Sequence, residues 1–307
     1  MKTLKRMIVA LLALLPLATG VAVADDEHGY SRIFIFGASF MDPGNHFALT
    51  GETAHPPFEL MEASYGIGGH HFSNGRTWVE VLAQEMKLTE WAKPAYRGPA
   101  FGNYAVGSAR ARDILPDPVE PSLGDQVQAW ISNGYCTYAP MDDTLFIVDS
   151  AYFDLADIIA GQDPFVILPG MTASIATNIG ILRECGARNP LFAYVLPVEL
   201  SPIVPNDPTA PRLSAIYNYL FLLPVIQSYA SDPDMNVSAV DFFAFVNGMM
   251  ETPEAFGFTN VTDSCVKLGV TEDAFCNDRD GYFLWDPLHP TKKVHALFAE
   301  FALEQLP

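Results

Sequence analysis

Short apolar runs alternate along the chain with longer stretches of helical periodicity. The runs Ile33–Phe36, Thr144–Val148 and Leu191–Leu196 hold almost no polar residue, which is typical of strands that are buried on both faces of a sheet. Tyr104–Val106 and Val237–Val240 are shorter candidates of the same kind. Because strands that alternate with helices are joined by crossover connections, the pattern predicts an α/β fold with a parallel sheet and helices on both of its faces.

Apolar residues recur at helical spacing between these runs. The predicted helices are Trp78–Met86, Gln126–Ser132, Thr172–Cys185, Arg212–Tyr229 and Val294–Leu306. Pro224 should interrupt the fourth helix, since proline removes a backbone donor. The segment from His46 to His71 carries prolines and a glycine cluster, and we expect a loop-rich insertion there.

The first 24 residues have the pattern of a targeting segment. Three cations precede an apolar run from Met7 to Leu17, and Ala22-Val23-Ala24 fits the small-x-small rule for cleavage. No later run of eighteen uninterrupted apolar residues occurs, so the sequence predicts no integral membrane segment. We therefore predict a signal peptide at 1–24, a single domain at 25–307, and a protein that is secreted or periplasmic.

The chain is strongly acidic. Its formal net charge is −19, and removal of the three cations of the predicted signal peptide takes the charge to −22. Nucleic acids and anionic lipid surfaces are bound through positive patches, so this charge predicts no nucleic-acid partner. A well-solvated surface of an exported protein would also be acidic, and that explanation is the simpler one.

Four cysteines lie in the predicted mature chain: Cys136, Cys185, Cys265 and Cys276. An even number in an oxidising compartment predicts two disulfides. Cys265 and Cys276 flank a short polar loop, which favours a bridge between them, and the other two cysteines then pair by elimination. The sequence has no Cys-x-x-Cys motif and no Cys/His cluster, and the adjacent His70 and His71 are poorly placed to share one ion. We predict no metal site and no cofactor.

A serine follows the first predicted strand. Gly37 ends that strand, Ser39 comes two residues later, and 42–45 has the composition of a turn. Open α/β sheets bind ligands at the C-terminal ends of their strands, so Ser39 is a candidate nucleophile. Serines after strands also cap helices, and this stretch alone does not choose between the two interpretations.

Asp286 and His289 lie three residues apart near the C-terminus, before a helix that Pro290 is suited to begin. A serine nucleophile needs a base, and the imidazole needs a carboxylate that fixes its tautomer. The Asp-x-x-His spacing places both groups in one short loop. Together with Ser39, it predicts a triad in which His289 takes the serine proton and Asp286 orients His289.

These two stretches resemble the first and last sequence blocks of the GDSL (SGNH) hydrolases, a family of esterases, lipases and acyltransferases. Gly37–Asn45 resembles Gly-Asp-Ser-Leu-x-Asp-x-Gly-Asn, and Asp286–Pro290 resembles Asp-x-x-His-Pro. Phe72–Glu80, Asn103–Arg110 and Phe256–Thr262 resemble further family segments in the same order. The resemblance implies a three-layer flavodoxin-like sandwich with a five-stranded parallel sheet, the SGNH hydrolase fold, and catalytic groups at its C-terminal edge.

The resemblance also implies three donors that stabilise an oxyanion. Two are the backbone N–H groups of Ser39 and Ser108, the latter at a position where the family has glycine. The third is an asparagine side chain that should follow the strand Thr144–Val148. This chain has no asparagine between positions 133 and 178, and it has Ala38 where the family has aspartate. Ser150 and Tyr152 are the candidates for a substitute hydroxyl.

Two functions therefore follow from the sequence. One is an exported serine esterase that cleaves a small-molecule, lipid or glycan ester, slowly if the oxyanion hole is incomplete. The other is a degenerate family member that binds an acylated lipid or glycan without turnover. Hydrolysis of a nitrophenyl ester that is lost in Ser39→Ala distinguishes the first function from the second.

Overall fold

The computed structural model describes residues 29–53, 65, 69–113, 120–149, 152–204, 210–267, 269–270 and 272–307. The predicted signal peptide and Ser150 lie outside the described residues. The strands are β1 (Arg32–Gly37), β2 (Met141–Asp149), β3 (Ala187–Ala193), β4 (Ser238–Val240), β5 (Asn260–Ser264) and β6 (Tyr282–Leu284). The helices are α1 (Asn45–Thr50), α2 (Trp78–Glu85), α3 (Leu123–Ser132), α4 (Tyr152–Ile159), α5 (Pro164–Glu184), α6 (Ala210–Ile216), α7 (Leu223–Ala230), α8 (Phe242–Glu251) and α9 (Lys292–Glu304).

The main sheet is parallel, in the order β1-β2-β3-β4. Phe34 of β1 lies opposite Phe146 of β2, and Val148 of β2 lies opposite Phe192 of β3. Four of the five predicted strands are found in this sheet, and the α/β fold with crossover connections is confirmed. β5 and β6 form a separate two-stranded parallel sheet that leads into the C-terminal loop.

The main sheet was predicted to have five strands, and it has four among the described residues. The segment 102–106 runs beside β1, where Ile35 donates to the Gly102 carbonyl at 3.0 Å and accepts from Tyr104 N–H at 2.8 Å. Only the pair Ile35–Asn103 forms a bridge. The side-chain oxygen of Asn103 accepts the N–H of Ala105 at 2.9 Å, and this local bond competes with a regular ladder. The fifth position of the sheet is therefore filled by an extended segment.

Each face of the sheet has its own hydrophobic core. Phe34 and Phe36 of β1 point into a core that also holds Trp130 of α3. Ile33 and Ile35 point the other way, into a core that holds Trp78 of α2. Because side chains alternate between the faces of a strand, burial of both faces explains why β1 has no polar position in its middle.

The predicted helices are present with shifted ends. Thr172–Cys185 is the second half of α5, which begins at Pro164. The predicted interruption near Pro224 is a π-helical segment, Tyr217–Leu222, that joins α6 to α7 without ending the helix. Proline has no backbone N–H to donate. The wider π-helical turn ahead of Pro224 accommodates this missing hydrogen bond, so the helix continues.

Three helices, α1, α4 and α8, were not predicted from the sequence. α1 has six residues between Gly44 and Gly51, too few for a periodic pattern to be visible. It lies in the segment that was predicted to be loop-rich. α8 is preceded by the N-cap residue Asp241, whose carboxylate accepts the N–H of Ala244 at 2.8 Å. An aspartate at the N-cap is a sequence feature from which the start of this helix could have been predicted.

α5 is the one helix of the described residues that is long and apolar enough to cross a membrane by length and composition. Ile167, Met171, Ile175 and Ile179 of this helix pack in the core that holds Phe34. Its apolar composition is therefore that of a helix packed against a sheet.

Both disulfides predicted from the sequence are formed. Cys136–Cys185 joins the segment before β2 to the end of α5, and Cys265–Cys276 closes a loop ahead of β6. The two bridges close loops of very different length, with sequence separations of 49 and 11 residues.

We expect the longer loop to give the larger stabilisation. In the chain-entropy model the Cys136–Cys185 bridge contributes about 4 kcal/mol and Cys265–Cys276 about 3 kcal/mol. Urea unfolding of the variants Cys136→Ala/Cys185→Ala and Cys265→Ala/Cys276→Ala, compared with the unsubstituted protein, measures both losses. A larger loss from Cys265→Ala/Cys276→Ala would contradict this order, and peptide mapping without reduction checks the pairing.

Candidate active site

Ser39, His289 and Asp286 form one hydrogen-bonded series. The Ser39 hydroxyl lies 2.8 Å from Nε2 of His289, and Nδ1 of His289 lies 2.8 Å from Oδ2 of Asp286. All three residues are at most 5% exposed. A carboxylate only accepts hydrogen bonds, so the imidazole proton lies on Nδ1 and Nε2 accepts from the serine.

The Asp-x-x-His loop is shaped by its own aspartate. Oδ1 of Asp286 accepts the N–H groups of Leu288 and His289, both at 2.8 Å. This is a side-chain-capped turn of the kind that aspartate favours. The same carboxylate thus bends the chain and receives the imidazole, which is why a spacing of three residues suffices.

Tyr65 completes the hydrogen bonding of Asp286. Its hydroxyl donates to Oδ2 of Asp286 at 2.8 Å in a buried contact. Burial acts to raise the pKa of Asp286, but the charge of His289 and the hydrogen bonds from His289, Leu288 and Tyr65 hold that pKa below its ordinary value. No sequence pattern indicates Tyr65, which lies 221 positions away from Asp286.

Aromatic rings enclose the imidazole of His289. The ring centroids of Phe40 and Phe72 lie 5.5 and 5.1 Å from it. A Cβ at Gly107 would lie 2.2 Å from the Phe72 ring, so the absence of a side chain there allows Phe72 to reach His289. These rings reduce the access of water to the imidazole and increase the strength of its polar contacts.

Ser39 and Ser108 lie on adjoining loops. Val106 N–H donates to the Gly37 carbonyl at 3.1 Å, which holds the second loop against the first. The Ser39 N–H has no hydrogen-bond acceptor among the described residues. Ser108 has a φ of 67°, the left-handed conformation that glycine adopts most easily. The glycine-like backbone is therefore kept although a serine occupies the position.

Tyr152 is the candidate substitute donor that the structure describes. Its ring packs on Phe40 with a centroid separation of 5.3 Å. Burial raises the pKa of the Tyr152 phenol well above its usual range, and the Ser201 side chain acts to lower it. Ser201 in turn donates to the Pro287 carbonyl at 2.6 Å. Tyr152 is thus a neutral phenol whose ring packs on the residue that follows Ser39.

Asp154, at the end of the third-block segment, holds the loop that follows Ser108. Its carboxylate accepts Ala111 N–H at 2.7 Å and Arg112 Nε at 2.5 Å. Arg110 makes two contacts of 2.9 Å with Asp157, one helical turn further on. Burial raises the pKa of Asp154 to about 6, while Arg112 and the Ala111 N–H act to lower it. The ion pairs connect α4 to the candidate oxyanion loop.

Asp42 ties the two loops together. Its carboxylate accepts N–H groups from Gly44 at 2.7 Å, Asn45 at 2.5 Å, His46 at 3.0 Å and Gly107 at 2.8 Å. The first three come from the turn that follows Ser39, and the fourth precedes Ser108. Burial raises the pKa of Asp42 to about 6 although all four N–H groups act to lower it.

The adjacent histidines His70 and His71 each contact a different side chain. Nε2 of His71 pairs with Glu80 at 2.8 Å, and the ring of His70 stacks on Phe47. Within the described ranges, no group of three or more His, Cys, Asp or Glu side chains is arranged to hold a metal ion.

A parallel α/β sandwich with a serine after β1 and an Asp-x-x-His loop before the last helix is the arrangement of the GDSL hydrolases. The family model for GDSL-like Lipase/Acylhydrolase matches residues 33–302. The chain belongs to this family.

Its similarity to individual relatives is low but extends over most of the chain. It is 24% identical to a thermolabile hemolysin of Vibrio parahaemolyticus, over 89% of this chain and 63% of that protein. It is 24% identical to a GDSL esterase/lipase of Arabidopsis thaliana, over 90% of this chain and 89% of the relative. GDSL esterase/lipase 6 of the same plant is 22% identical, over 94% and 91%. The family of these relatives indicates a lipase- or esterase-type hydrolase.

Replacing Asp42 by asparagine should destabilise the protein strongly. An amide can accept on one atom only and brings a donor among four converging N–H groups, so buried donors lose their partners. We expect a loss of roughly 2–4 kcal/mol in the free energy of unfolding. Urea unfolding measures it, with Asp142→Asn at an exposed position as the matched control. An equal, small effect of both substitutions would contradict the role of Asp42.

Proposed function

We propose that this protein is an exported serine esterase of the GDSL family that hydrolyses carboxylic esters through Ser39, His289 and Asp286. The observation that carries the proposal is the buried hydrogen-bonded series from the Ser39 hydroxyl through His289 to Asp286. Such a series is what a serine nucleophile requires, since the free hydroxyl is too weakly acidic to attack an ester.

In the first half of the reaction, the Ser39 oxygen attacks the ester carbonyl while Nε2 of His289 takes the hydroxyl proton. Asp286 stabilises the imidazolium that results and keeps it oriented. The tetrahedral intermediate then collapses, the bond to the alcohol breaks, and His289 returns the proton to the leaving alkoxide. The acyl group remains on Ser39. Water activated by His289 then attacks this acyl-enzyme, releases the acid and restores the hydroxyl.

Negative charge develops on the carbonyl oxygen in both halves of the reaction. We assign the Ser39 and Ser108 backbone N–H groups as its donors. In support, the Ser39 N–H has no acceptor within the described part of the chain, and Ser108 has a left-handed backbone. The asparagine that supplies a third donor in the family is missing from the sequence. Loss of one such donor lowers kcat by about 10²–10³, so we expect turnover to be slow. If turnover is lost altogether, the protein is a non-catalytic member of the family that binds an acylated lipid or glycan.

Export fits the two disulfides, since such bridges persist in oxidising compartments. We propose that cleavage after position 24 releases a single-domain protein of residues 25–307 into the periplasm or the medium. On this proposal the protein binds ester substrates and no nucleic acid, and it has no integral membrane segment after cleavage.

Ser39→Ala should abolish ester hydrolysis, and a fluorophosphonate probe should label Ser39 and no other serine. The reason is that only Ser39 has an imidazole within hydrogen-bonding distance of its hydroxyl among the described residues. Hydrolysis of p-nitrophenyl acetate and mass spectrometry of the labelled protein measure the two effects. Retention of the full rate in Ser39→Ala, or labelling at another serine, would contradict the assignment.

Tyr65→Phe should move the acid limb of the kcat/KM profile to higher pH. Tyr65 is one of the donors that hold the pKa of Asp286 below its ordinary value. Without its hydrogen bond, the Asp286 carboxylate stabilises the imidazolium form of the base more strongly, so activity is lost at a higher pH. We expect a shift of roughly 0.5 pH unit, which corresponds to about 0.7 kcal/mol. The neighbouring imidazoles of His71 and His295 are the same in both proteins.

The matched control is Tyr229→Phe, which removes a hydroxyl that donates to the Ala176 carbonyl at 2.7 Å, away from the candidate site. This variant should keep the wild-type midpoint. An unchanged midpoint in Tyr65→Phe, with a loss of stability like that of Tyr229→Phe, would show that Tyr65 has only a structural role.

A further inference from the structure

An apolar cavity of ≈ 130 Å³ lies beside the candidate site. One part of its lining is α4, with Tyr152, Phe153, Ala156 and Ile159, and the rest includes Ile203 and Leu288. Tyr152 is the one lining residue with a polar side chain, and burial keeps its phenol neutral. The cavity therefore offers a ligand apolar surface and no charge.

The cavity borders the reacting groups. Leu288 in its wall precedes His289 directly in the chain, and Tyr152 packs on Phe40. Phe40 follows Ser39 and contacts the His289 ring at 5.5 Å. The cavity is thus connected to Ser39 and His289 through Leu288 and through the contact of Tyr152 with Phe40.

We propose that the cavity binds a short, unbranched aliphatic chain of the ester, of up to about six carbon atoms. This inference rests on the proposed function. The size follows from comparison, since an apolar cavity of about 150 Å³ holds one benzene ring. A sugar is a poor occupant, because its hydroxyls would lose water without gaining partners on these walls.

Two series of esters test the proposal and show which side of the ester enters the cavity. The first varies the acyl chain of p-nitrophenyl esters from acetate to decanoate, and the second varies the alcohol of alkyl acetates from ethyl to octyl. In one series, kcat/KM should rise roughly threefold to fourfold for each added methylene, the factor expected for its burial. The rise should stop near six carbons.

A matched pair of tryptophan variants locates the effect. Ile203 lines the cavity and is 38% exposed, while Ile216 on α6 is outside it and is 37% exposed. Ile203→Trp should lower the ratio of kcat/KM for the six-carbon ester to that for the two-carbon ester at least tenfold. Ile216→Trp should keep the wild-type ratio. Ala156→Val, a smaller change in the α4 part of the lining, should lower the ratio by a few-fold.

The outcomes separate this inference from the proposed function. If the wild type cleaves no ester, the proposed function fails. If it cleaves the two-carbon ester but neither series depends on chain length, the cavity has another role. The same conclusion follows if Ile203→Trp and Ile216→Trp change the ratio equally. Thermal unfolding of all three variants confirms that each one is folded before the ratios are compared.

Discussion

The buried carboxylate of Asp42 is the contact on which the geometry of the candidate site depends. Three of its four N–H donors fix the turn after the nucleophile strand, and Gly107 brings in the loop that carries Ser108. Two loops that are 65 positions apart thereby share one anchor. Since a carboxylate is stable in the interior only when its oxygens are hydrogen-bonded, a change in either loop weakens the other.

A second layer of contacts holds the base and the third block. Asp286 shapes its own turn through local hydrogen bonds, and Tyr65 reaches the same carboxylate from a distant segment. Asp154 and Arg112 connect α4 to the loop after Ser108. The third block has thus lost the family's asparagine but still holds the second block in place. The scaffold around the candidate site is therefore kept although the asparagine is missing.

The same helix α4 links the scaffold to selectivity. Asp154 forms an ion pair with Arg112, while Tyr152, Phe153 and Ala156 line the apolar cavity. Positions on opposite sides of one short helix therefore serve different purposes. A large side chain at the cavity wall can change the space for substrate without touching the ion pairs that support the loop.

The sequence by itself determined the elements whose signals are local. Apolar runs predicted β1 to β4 because both faces of the sheet are covered, and the Asp-x-x-His spacing predicted the turn because Asp286 caps it. Only the tertiary structure decided the fifth position of the sheet, where the segment 102–106 lies beside β1, and the contact of Tyr65 with Asp286. It also placed the cavity between α4, Ile203 and Leu288. These features arise between segments far apart in the chain. The periodicity of a single segment does not show which distant side chain will pack against it.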